Sequence, residues 1–320
     1  MAAESFESST AMTSTKEAQN LQSSVWDGSL PIEIRLSASE CRIYDQADPY
    51  LIQYRRLSYL PFLLPRLHAF FGSSLIDPDV IPYDGWFSFE DVPLKWQYPL
   101  GLLYDLFSGA SPAQASGIAS QDRSPTDEQE DHLPWRLTLH FTEWPEQALV
   151  RPDAEGKMLH DAFINSVKEA DFLRNGTAKG IMSLSKDDST KLWNAVQDHD
   201  FDSFNPISRR LLYAQGAPLR HIPLKIYLPS SPTASEPTSG HLRIVQSLIT
   251  PISPGSRAPQ TIGTALHALL PTLFPSRRTP ILAKAVLHGA VVPMSAIVED
   301  VMRAATYLDG WVHLGVVMMG

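Results

Sequence analysis

The stretch "HIPLKIYLP" (residues 221–229) alternates apolar and polar side chains. Its apolar positions are Ile222, Leu224, Ile226 and Leu228. Strict alternation of this kind predicts a half-buried β-strand. The stretch "LRIVQSLITP" (242–251) predicts a second strand, and the Pro/Ser/Thr-rich segment between the two predicts a hairpin with a long disordered tip.

The residues that follow this hairpin complete a recognisable order of elements. The stretch "TIGTALHALLPTLFP" (261–275) has helical periodicity and a candidate N-cap in Thr261. A strand, a turn at His288-Gly289, a short helix and a final strand come next. Strand–strand–helix–strand–strand within about 100 residues is the order of a β-grasp, or ubiquitin-like, domain.

The N-terminal part of the chain has the same order less clearly. Strands are predicted at 29–41 and 133–141, and the segment 85–107 begins as a strand and becomes an apolar helix. Residues at near-helical spacing between them are Tyr50, Tyr54, Leu57 and Leu64. Pro61 and Pro65 are expected to end or break any helix there.

The middle of the chain changes to a helical period. Phe163, Val167 and Ala170 are spaced to share one helical face. A second helix is predicted further on, with Asp188 or Ser189 as its N-cap.

These patterns predict an α+β protein with two ubiquitin-like (β-grasp) domains flanking a helix-rich domain. The predicted boundaries are 1–24 (disordered), 25–150, 151–215 and 216–320, with long loops at 108–131 and 229–240.

Composition narrows the class of protein. No run approaches 18 consecutive apolar residues, and the N-terminus lacks a secretory signal pattern. With Cys41 as the single cysteine, disulfides and cysteine-based zinc sites are excluded, and a reducing, cytoplasmic compartment is expected. The net charge of −9 is divided as −12, −1 and +4 over residues 1–150, 151–215 and 216–320. This balance disfavours a nucleic-acid binder.

Catalytic motifs are missing from the sequence. There is no G-x-S-x-G, H-E-x-x-H, P-loop or G-x-G-x-x-G pattern, so no cofactor and no metal are expected. Cys41 is interpreted as a half-buried thiol at the end of a strand rather than a nucleophile.

Three arginine pairs, Arg55-Arg56, Arg209-Arg210 and Arg277-Arg278, are able to meet phosphate or an acidic lipid surface. Each is more simply a solvated face or a local salt bridge. The pair Arg277 and Arg278, in the basic C-terminal third, is the best candidate for a membrane-facing site. That hypothesis fails if reversing both charges leaves liposome binding unchanged.

Five stretches together resemble the autophagy protein 5 family in its fungal form: "PLKWQYPLGLLYDL" (93–106), "FTEWPEQALV" (141–150), "FINSVKEADFLRNG" (163–176), "LWNAVQDHDFDSFNPISRRLL" (192–212) and a C-terminal stretch that begins "HGAVVPMSAIVEDVM" (288–302). The resemblance runs from about residue 25 to the C-terminus. It implies the same fold, two ubiquitin-like domains around a helix-rich domain.

The resemblance also gives a role to one lysine. In this family the lysine of the "KEAD" stretch accepts the ubiquitin-like autophagy protein 12 through an isopeptide bond, and the matching residue here is Lys168. At 100° per residue, Lys168 lies about 140° from Phe163, near the edge of the apolar face. The purely structural interpretation is that the aliphatic stem of Lys168 covers that apolar face. Nearby lysines outside the motif are Lys157, Lys179, Lys186 and Lys191.

The family resemblance implies a non-catalytic component of a conjugation complex. Its expected partners are protein 12, the coiled-coil autophagy protein 16, and the activating and conjugating enzymes of the pathway. The complex is expected to promote transfer of autophagy protein 8 to phosphatidylethanolamine, with peripheral contact at the preautophagosomal membrane.

Two alternatives stay open at the level of sequence. One is an unconjugated β-grasp adaptor that only binds partners, which a covalent adduct surviving a denaturing gel would exclude. The other is an enzyme that carries a thioester on Cys41, for which Cys41→Ser and not a change at Lys168 would abolish function.

Overall fold

The computed structural model describes residues 18–42, 47–109, 132–213, 219–229 and 242–319. Within these residues the chain forms two five-stranded sheets with a group of helices between them in sequence. This arrangement confirms the predicted α+β class.

The first sheet has the strand order β2-β1-β5-β3-β4. Its strands are β1 (Ser29–Leu36), β2 (Tyr50–Arg55), β3 (Trp86–Phe89), β4 (Val92–Pro93) and β5 (Trp135–His140). The helices of this part are α1 (18–27), α2 (Leu64–Phe71) and α3 (Leu100–Phe107). The central pair β1–β5 is parallel and its neighbours are antiparallel, as in a β-grasp sheet.

The second sheet repeats this order as β7-β6-β10-β8-β9. Its strands are β6 (Leu224–Pro229), β7 (Leu242–Gln246), β8 (Ala283–Leu287), β9 (Ala290–Val291) and β10 (Val312–Met318). The helices α8 (Ile262–Leu269) and α9 (Val298–Ala305) belong to it. The parallel central pair is again the first strand with the last, β6–β10. Both ends of the chain are therefore ubiquitin-like domains.

The helices between the sheets are α4 (Lys157–Asn175), α5 (Lys179–Met182), α6 (Lys186–Asp198) and α7 (Phe201–Leu212). They do not have a core of their own. The buried residues Val167 of α4 and Leu192 of α6 belong to one continuous apolar cluster with Leu266 of α8. A separate cluster fills the first domain, around Ile34 and Leu67. The helical region and the second ubiquitin-like domain thus share a core.

The second sheet is buried on both faces. Leu224, Ile226 and Leu314 lie on one face of the sheet, and the register places Tyr227 and His313 on the other. Tyr227 and His313 are nonetheless buried, because α3 of the first domain packs across β10 and the ring of Tyr98 lies 5.4 Å from that of Tyr227.

A largely buried ion pair of the first domain is hydrogen-bonded to the second ubiquitin-like domain. The guanidinium of Arg56 pairs with the Asp105 carboxylate of α3, and that carboxylate also accepts the backbone N–H of Gly289 at 2.8 Å. Gly289 lies in the turn between β8 and β9 of the second domain. Burial raises the pKa of Asp105 more than Arg56 and the hydrogen bonds lower it. The contact therefore depends on all three groups being present.

The structure corrects the expectation for residues 48–72. Tyr50 and Tyr54 belong to strand β2 and alternate with exposed positions, so their spacing is that of a strand. Pro61 and Pro65 do not break a helix. Each lies in the first turn of one, a 3₁₀ helix at Leu60–Leu63 and α2, where a missing N–H costs nothing.

Two further expectations are wrong in part. The N-cap of α6 is Ser185, whose hydroxyl accepts the backbone N–H of Asp188 at 3.0 Å, so Asp188 lies inside the first turn. Residues 18–24, placed in the disordered N-terminus, are helical because α1 is anchored by Trp26, which is buried and stacks on His199 at 4.3 Å.

The predicted long loops fall mostly outside the described residues. Of 108–131, only residues 108 and 109 are described. Of 229–240, only Pro229 is described, as the last residue of β6.

Breaking the Arg56–Asp105 pair from either side should be costly. Asp105→Leu leaves a largely buried guanidinium without its carboxylate, and we expect a loss of about 3–5 kcal/mol in the free energy of unfolding. The double variant Arg56→Met with Asp105→Leu should lose clearly less than the two single losses added together. A double-mutant cycle by chemical denaturation tests this, and strictly additive losses would contradict it.

Candidate conjugation site

Lys168 lies in α4, a helix with well-defined ends. The carboxylate of Asp153 accepts the first two backbone N–H groups of the helix, at 3.1 and 2.7 Å. At the other end Gly176 adopts a left-handed φ of 71°, and its N–H donates to the carbonyl four residues earlier at 2.7 Å. Glycine is favoured in this conformation, so the helix stops one turn after the "KEAD" stretch.

One face of α4 is buried, as its periodicity predicts. Phe163, Val167 and Ala170 all belong to this face. Two charged residues, Asp171 and Arg174, are buried on it as well. Since buried charges require partners, this face must make polar contacts in addition to apolar packing.

The side chain of Lys168 is half-buried at the edge of this face. Its neighbours one turn away on the helix are Ile164, which is half-buried, and Phe172, which is 57% exposed. In the described part of the chain, the amine of Lys168 makes no hydrogen bond and no ion pair. It is therefore held near the surface without being tied to a partner.

The neighbouring lysines differ from Lys168 in their surroundings. Lys157, Lys179, Lys186 and Lys191 are all exposed. Lys157 is also engaged in an ion pair with Glu155. Of these five lysines, Lys168 alone has its stem partly enclosed by the protein.

The two acidic residues of the "KEAD" stretch have partners other than Lys168. The Glu169 carboxylate lies 3.6 Å from the amine of Lys225 on β6. The Asp171 carboxylate accepts the backbone N–H of Ile181 at 3.0 Å and the side-chain amide of Asn175 at 2.7 Å. Asp171 thereby fixes the start of the following turn and leaves the amine of Lys168 unpaired.

A network of hydrogen bonds joins α4 to the second ubiquitin-like domain. The hydroxyl of Ser166 donates to Asp309 at 2.7 Å, and the indole N–H of Trp311 donates to the carbonyl of Ser166 at 2.9 Å. The backbone N–H of Trp311 also donates to Asp309, at 3.1 Å. Both Asp309 and Trp311 are buried, so these bonds are shielded from water.

Asp309 is the centre of this network. Its carboxylate also accepts the Nε2–H of His313 at 3.1 Å, and Nδ1 of the same ring lies 2.8 Å from the hydroxyl of Tyr227. Burial by itself would raise the pKa of Asp309, but the charge of His313 and the hydrogen bonds from His313, Ser166 and Trp311 outweigh it and leave the pKa below its ordinary value. Asp309 is therefore ionised at neutral pH.

Arg174 makes a second connection near the end of α4. Its guanidinium donates to the carbonyl of Gly310 at 3.1 Å, and its own carbonyl accepts the backbone N–H of Arg220 at 2.8 Å. Burial lowers the pKa of Arg174 to about 10, against the opposing charges of Asp171 and Asp309. The helix α4 is thus fixed to the second domain at both Ser166 and Arg174.

An apolar groove of about 830 Å³ lies between α1, α7 and the second ubiquitin-like domain. Its apolar lining includes Leu21 and Val25 of α1, Tyr213 after α7, and Val291 and Val301 of the second domain. Arg209, Asp300 and Arg303 also line it. A groove with an apolar floor and charged groups beside it suits an amphipathic helix of a partner.

Cys41 does not have the surroundings of a nucleophile. It lies after a short 3₁₀ helix, Ala38–Glu40, rather than at the end of β1 as predicted, and it forms an isolated bridge with Leu75. The thiol is half-buried, and no histidine is hydrogen-bonded to it in the described residues.

The three arginine pairs differ in their surroundings. Arg56 is buried against Asp105, and Arg210 pairs with Asp188 at 2.7 Å, so both have structural partners. Arg277 and Arg278 are exposed in the loop after α8, and their guanidiniums have no ion pair among the described residues. Their contact with a membrane stays a prediction.

Sequence reasoning missed the residues that hold α4 against the second domain. The patterns place Lys225 in a predicted strand and Trp311 in core or inter-domain packing, and they give Asp309 no role. The Asp-Gly pair in "YLDGW" (307–311) is a turn signal, and an acid inside an otherwise apolar stretch points to a buried, paired carboxylate. Which hydroxyl it pairs with is not visible in the sequence, because Ser166 is far away along the chain.

No helix among the described residues is long and apolar enough to cross a membrane. Nor do the described His, Cys, Asp and Glu side chains gather in a group of three able to hold a metal ion.

These features define a class of protein in which two ubiquitin-like domains are joined to a helical bundle that presents a lysine. Family models match all three parts. They are described as autophagy protein ATG5 UblA domain (residues 25–141), alpha-helical bundle region (156–214) and UblB domain (221–316). The chain belongs to the autophagy protein 5 family and is therefore an autophagy protein.

Curated relatives support this membership. Autophagy protein 5 of Aspergillus terreus is 59% identical over 314 residues, covering 94% of this chain and 98% of the relative. That of Phaeosphaeria nodorum is 55% identical, covering 97% and 100%. The crystal structure of Kluyveromyces marxianus Atg5 matches with a TM-score of 0.69 at 19% identity, covering 93% of this chain and 100% of the other, which shows the shared fold.

Replacing the central carboxylate should loosen the junction between α4 and the second domain. We expect Asp309→Asn to lower the free energy of unfolding by about 2–4 kcal/mol at pH 7, because a buried charged acceptor of three donors is lost. Since the folded-state pKa lies below the unfolded value of 3.8, this contribution is present above pH 3.8 and is lost as the pH falls further.

Chemical denaturation at pH 7 and pH 3 measures both effects, with the exposed Asp300→Asn as the matched control. An Asp309→Asn variant as stable as the control at pH 7 would contradict the role of this network.

Proposed function

We propose that this chain accepts the ubiquitin-like autophagy protein 12 on Lys168 through an isopeptide bond. The observation that carries the proposal is the state of Lys168 in the "KEAD" stretch. Its stem is half-buried on a helix fixed at two points, while its amine has no partner among the described residues. Membership of the autophagy protein 5 family supports the assignment.

The chemistry requires only a free, oriented amine. The ε-amine of Lys168 attacks the carbonyl carbon of the thioester that joins protein 12 to the conjugating enzyme. A C–N bond forms, the C–S bond breaks, the enzyme's cysteine leaves as thiolate, and the amine loses a proton. Because free lysine is mostly protonated at neutral pH, with a reference pKa of about 10.4, the conjugating enzyme must remove that proton.

The chain itself contributes presentation rather than catalysis. Holding two reactants in a productive geometry supplies a large part of the rate of a bimolecular reaction. The contacts at Ser166 and Arg174 restrict the movement of α4, so Lys168 projects from a defined position. This chain is therefore proposed to be a non-catalytic component.

The conjugate is proposed to act with the coiled-coil autophagy protein 16 as a ligase-like complex. This complex promotes transfer of autophagy protein 8 to phosphatidylethanolamine, in the cytoplasm and peripherally at the preautophagosomal membrane. Arg277 and Arg278, which are exposed and have no ion pair among the described residues, are proposed to face that membrane. The apolar groove is proposed to receive protein 16, because a helix that forms coiled coils carries an apolar stripe suited to it.

Reconstitution tests the acceptor directly. With the activating enzyme, the conjugating enzyme and protein 12, the wild-type chain should give a band shifted by one protein 12 on a denaturing gel. Lys168→Arg keeps the charge and most of the stem but lacks the primary amine, so it should give none.

Lys191→Arg is the matched control and should be conjugated like the wild type. A shifted band for Lys168→Arg would move the site to another lysine. A missing shift in the wild type, with enzymes that conjugate a control acceptor, would favour an adaptor that only binds partners.

The groove assignment makes a separate prediction. Val301→Asp places a charge in the apolar lining and should weaken binding of protein 16 at least ten-fold, as measured by titration calorimetry. Ile281→Asp, an equally polar change at an exposed position outside the groove, should leave the affinity unchanged. Equal affinity for both variants would place protein 16 elsewhere.

A further inference from the structure

A lysine of the second ubiquitin-like domain, Lys225, contacts the helical turn that carries Lys168. Lys225 lies on β6, on the same sheet face as Tyr227 and His313. Its amine is 3.6 Å from the Glu169 carboxylate and 4.0 Å from the centre of the Trp311 ring. The side chain of Lys225 is only 18% exposed, so most of its stem is enclosed.

The aromatic ring beneath this amine is itself fixed to α4. Trp311 is fully buried, and its indole N–H donates to the carbonyl of Ser166 at 2.9 Å. Trp311 therefore contacts α4 at Ser166, and Lys225 contacts it at Glu169. We call residues 166–169 the acceptor turn, since Lys168 lies within it.

These two contacts hold the helical turn that carries Lys168, but they do not involve the Lys168 amine. The Lys168 side chain leaves the helix in a different direction from those of Ser166 and Glu169, because residues one or two positions apart on a helix do not face each other. Its amine has no fixed contact in the described residues. The position of the amine is thus set by how firmly the acceptor turn is held.

The Lys225–Glu169 pair is a poor candidate for a contribution to global stability. Glu169 is 60% exposed, and ion pairs at that exposure contribute little. The pair does, however, join two elements that are distant in sequence, at the residue next to Lys168. Its location favours a local, positional effect.

We propose that Lys225 is a positioning residue for isopeptide formation at Lys168. Through Glu169 and Trp311 it holds the acceptor turn in the orientation that the charged conjugating enzyme meets. This inference rests on the proposed function of Lys168. Lys225 touches neither the thioester nor the attacking amine.

The test is single-turnover conjugation of the full chain by the conjugating enzyme charged with protein 12, measured over a range of acceptor concentrations. Lys225→Gln should lower the rate at saturation about five-fold and leave the half-saturating concentration unchanged, because it alters orientation and not binding. Lys225→Arg keeps the charge and the contact with the ring, and should stay within two-fold of the wild type.

Three comparisons separate position from charge and from folding. Glu169→Gln breaks the same pair from its exposed side and should also slow the reaction. If the two residues acted only through their charges on the Lys168 amine, removing this negative charge would favour the neutral, reactive amine and speed the reaction up. The double variant Glu169→Gln with Lys225→Gln should be no slower than Lys225→Gln alone, because the single change already breaks the pair. Lys284→Gln removes a lysine from β8 of the same domain and should react like the wild type.

Several results would overturn the inference. They are a Lys225→Gln rate equal to that of Lys284→Gln, a Glu169→Gln variant faster than the wild type, or a Glu169→Gln/Lys225→Gln double variant clearly slower than Lys225→Gln. The Lys168→Arg variant is measured in the same assay and tests the proposed function independently of Lys225. If it still forms the conjugate, the proposed function fails; if it does not and Lys225→Gln is unchanged, only the positioning role fails.

Discussion

The buried carboxylate of Asp309 is the constraint on which the arrangement of the molecule depends. A charge without solvent must be surrounded by donors, and here the donors come from two regions distant in sequence. Ser166 supplies one from α4, and Trp311 and His313 supply the others from the second domain. Because each donor has a fixed direction, α4 docks on the second domain in one orientation.

The shared core and the Arg56–Asp105 pair extend this constraint to the rest of the chain. The helical region has no separate core, so it cannot move away from the second domain without exposing Val167 and its neighbours. The first domain covers the second sheet with α3 and reaches the turn at Gly289 through Asp105. A sheet face that an isolated ubiquitin-like domain would offer to partners is used here inside the chain.

Local patterns in the sequence predict most of the fold because the periodicity of strands and helices is a local property. The alternation at 221–229 and the helical spacing of Phe163, Val167 and Ala170 are both confirmed. Pro61 and Pro65 were misjudged because a proline looks the same in sequence whether it starts a helix or ends one. The missed N-cap, Ser185, lies three residues before one predicted N-cap, Asp188, and four before the other, Ser189.

The sequence does not predict the contacts around Lys168, and the reason is different. The family motif points to the residue, but Lys225, Asp309 and Trp311 are more than 50 residues away and come together with α4 only through the packing of the second domain. The same holds for Asp105 and Gly289. Long-range polar contacts depend on the directions of individual side chains, which no periodicity records.

The location of the covalent bond is the central claim, and peptide mapping of the purified conjugate by tandem mass spectrometry tests it most directly. Trypsin does not cleave after a modified lysine. If Lys168 carries the isopeptide bond, residues 158–174 should be recovered as one branched peptide, uncut at Lys168 and bearing the C-terminal remnant of protein 12. A cut after Lys168 in the conjugate, with the branch on any other lysine, would contradict the account.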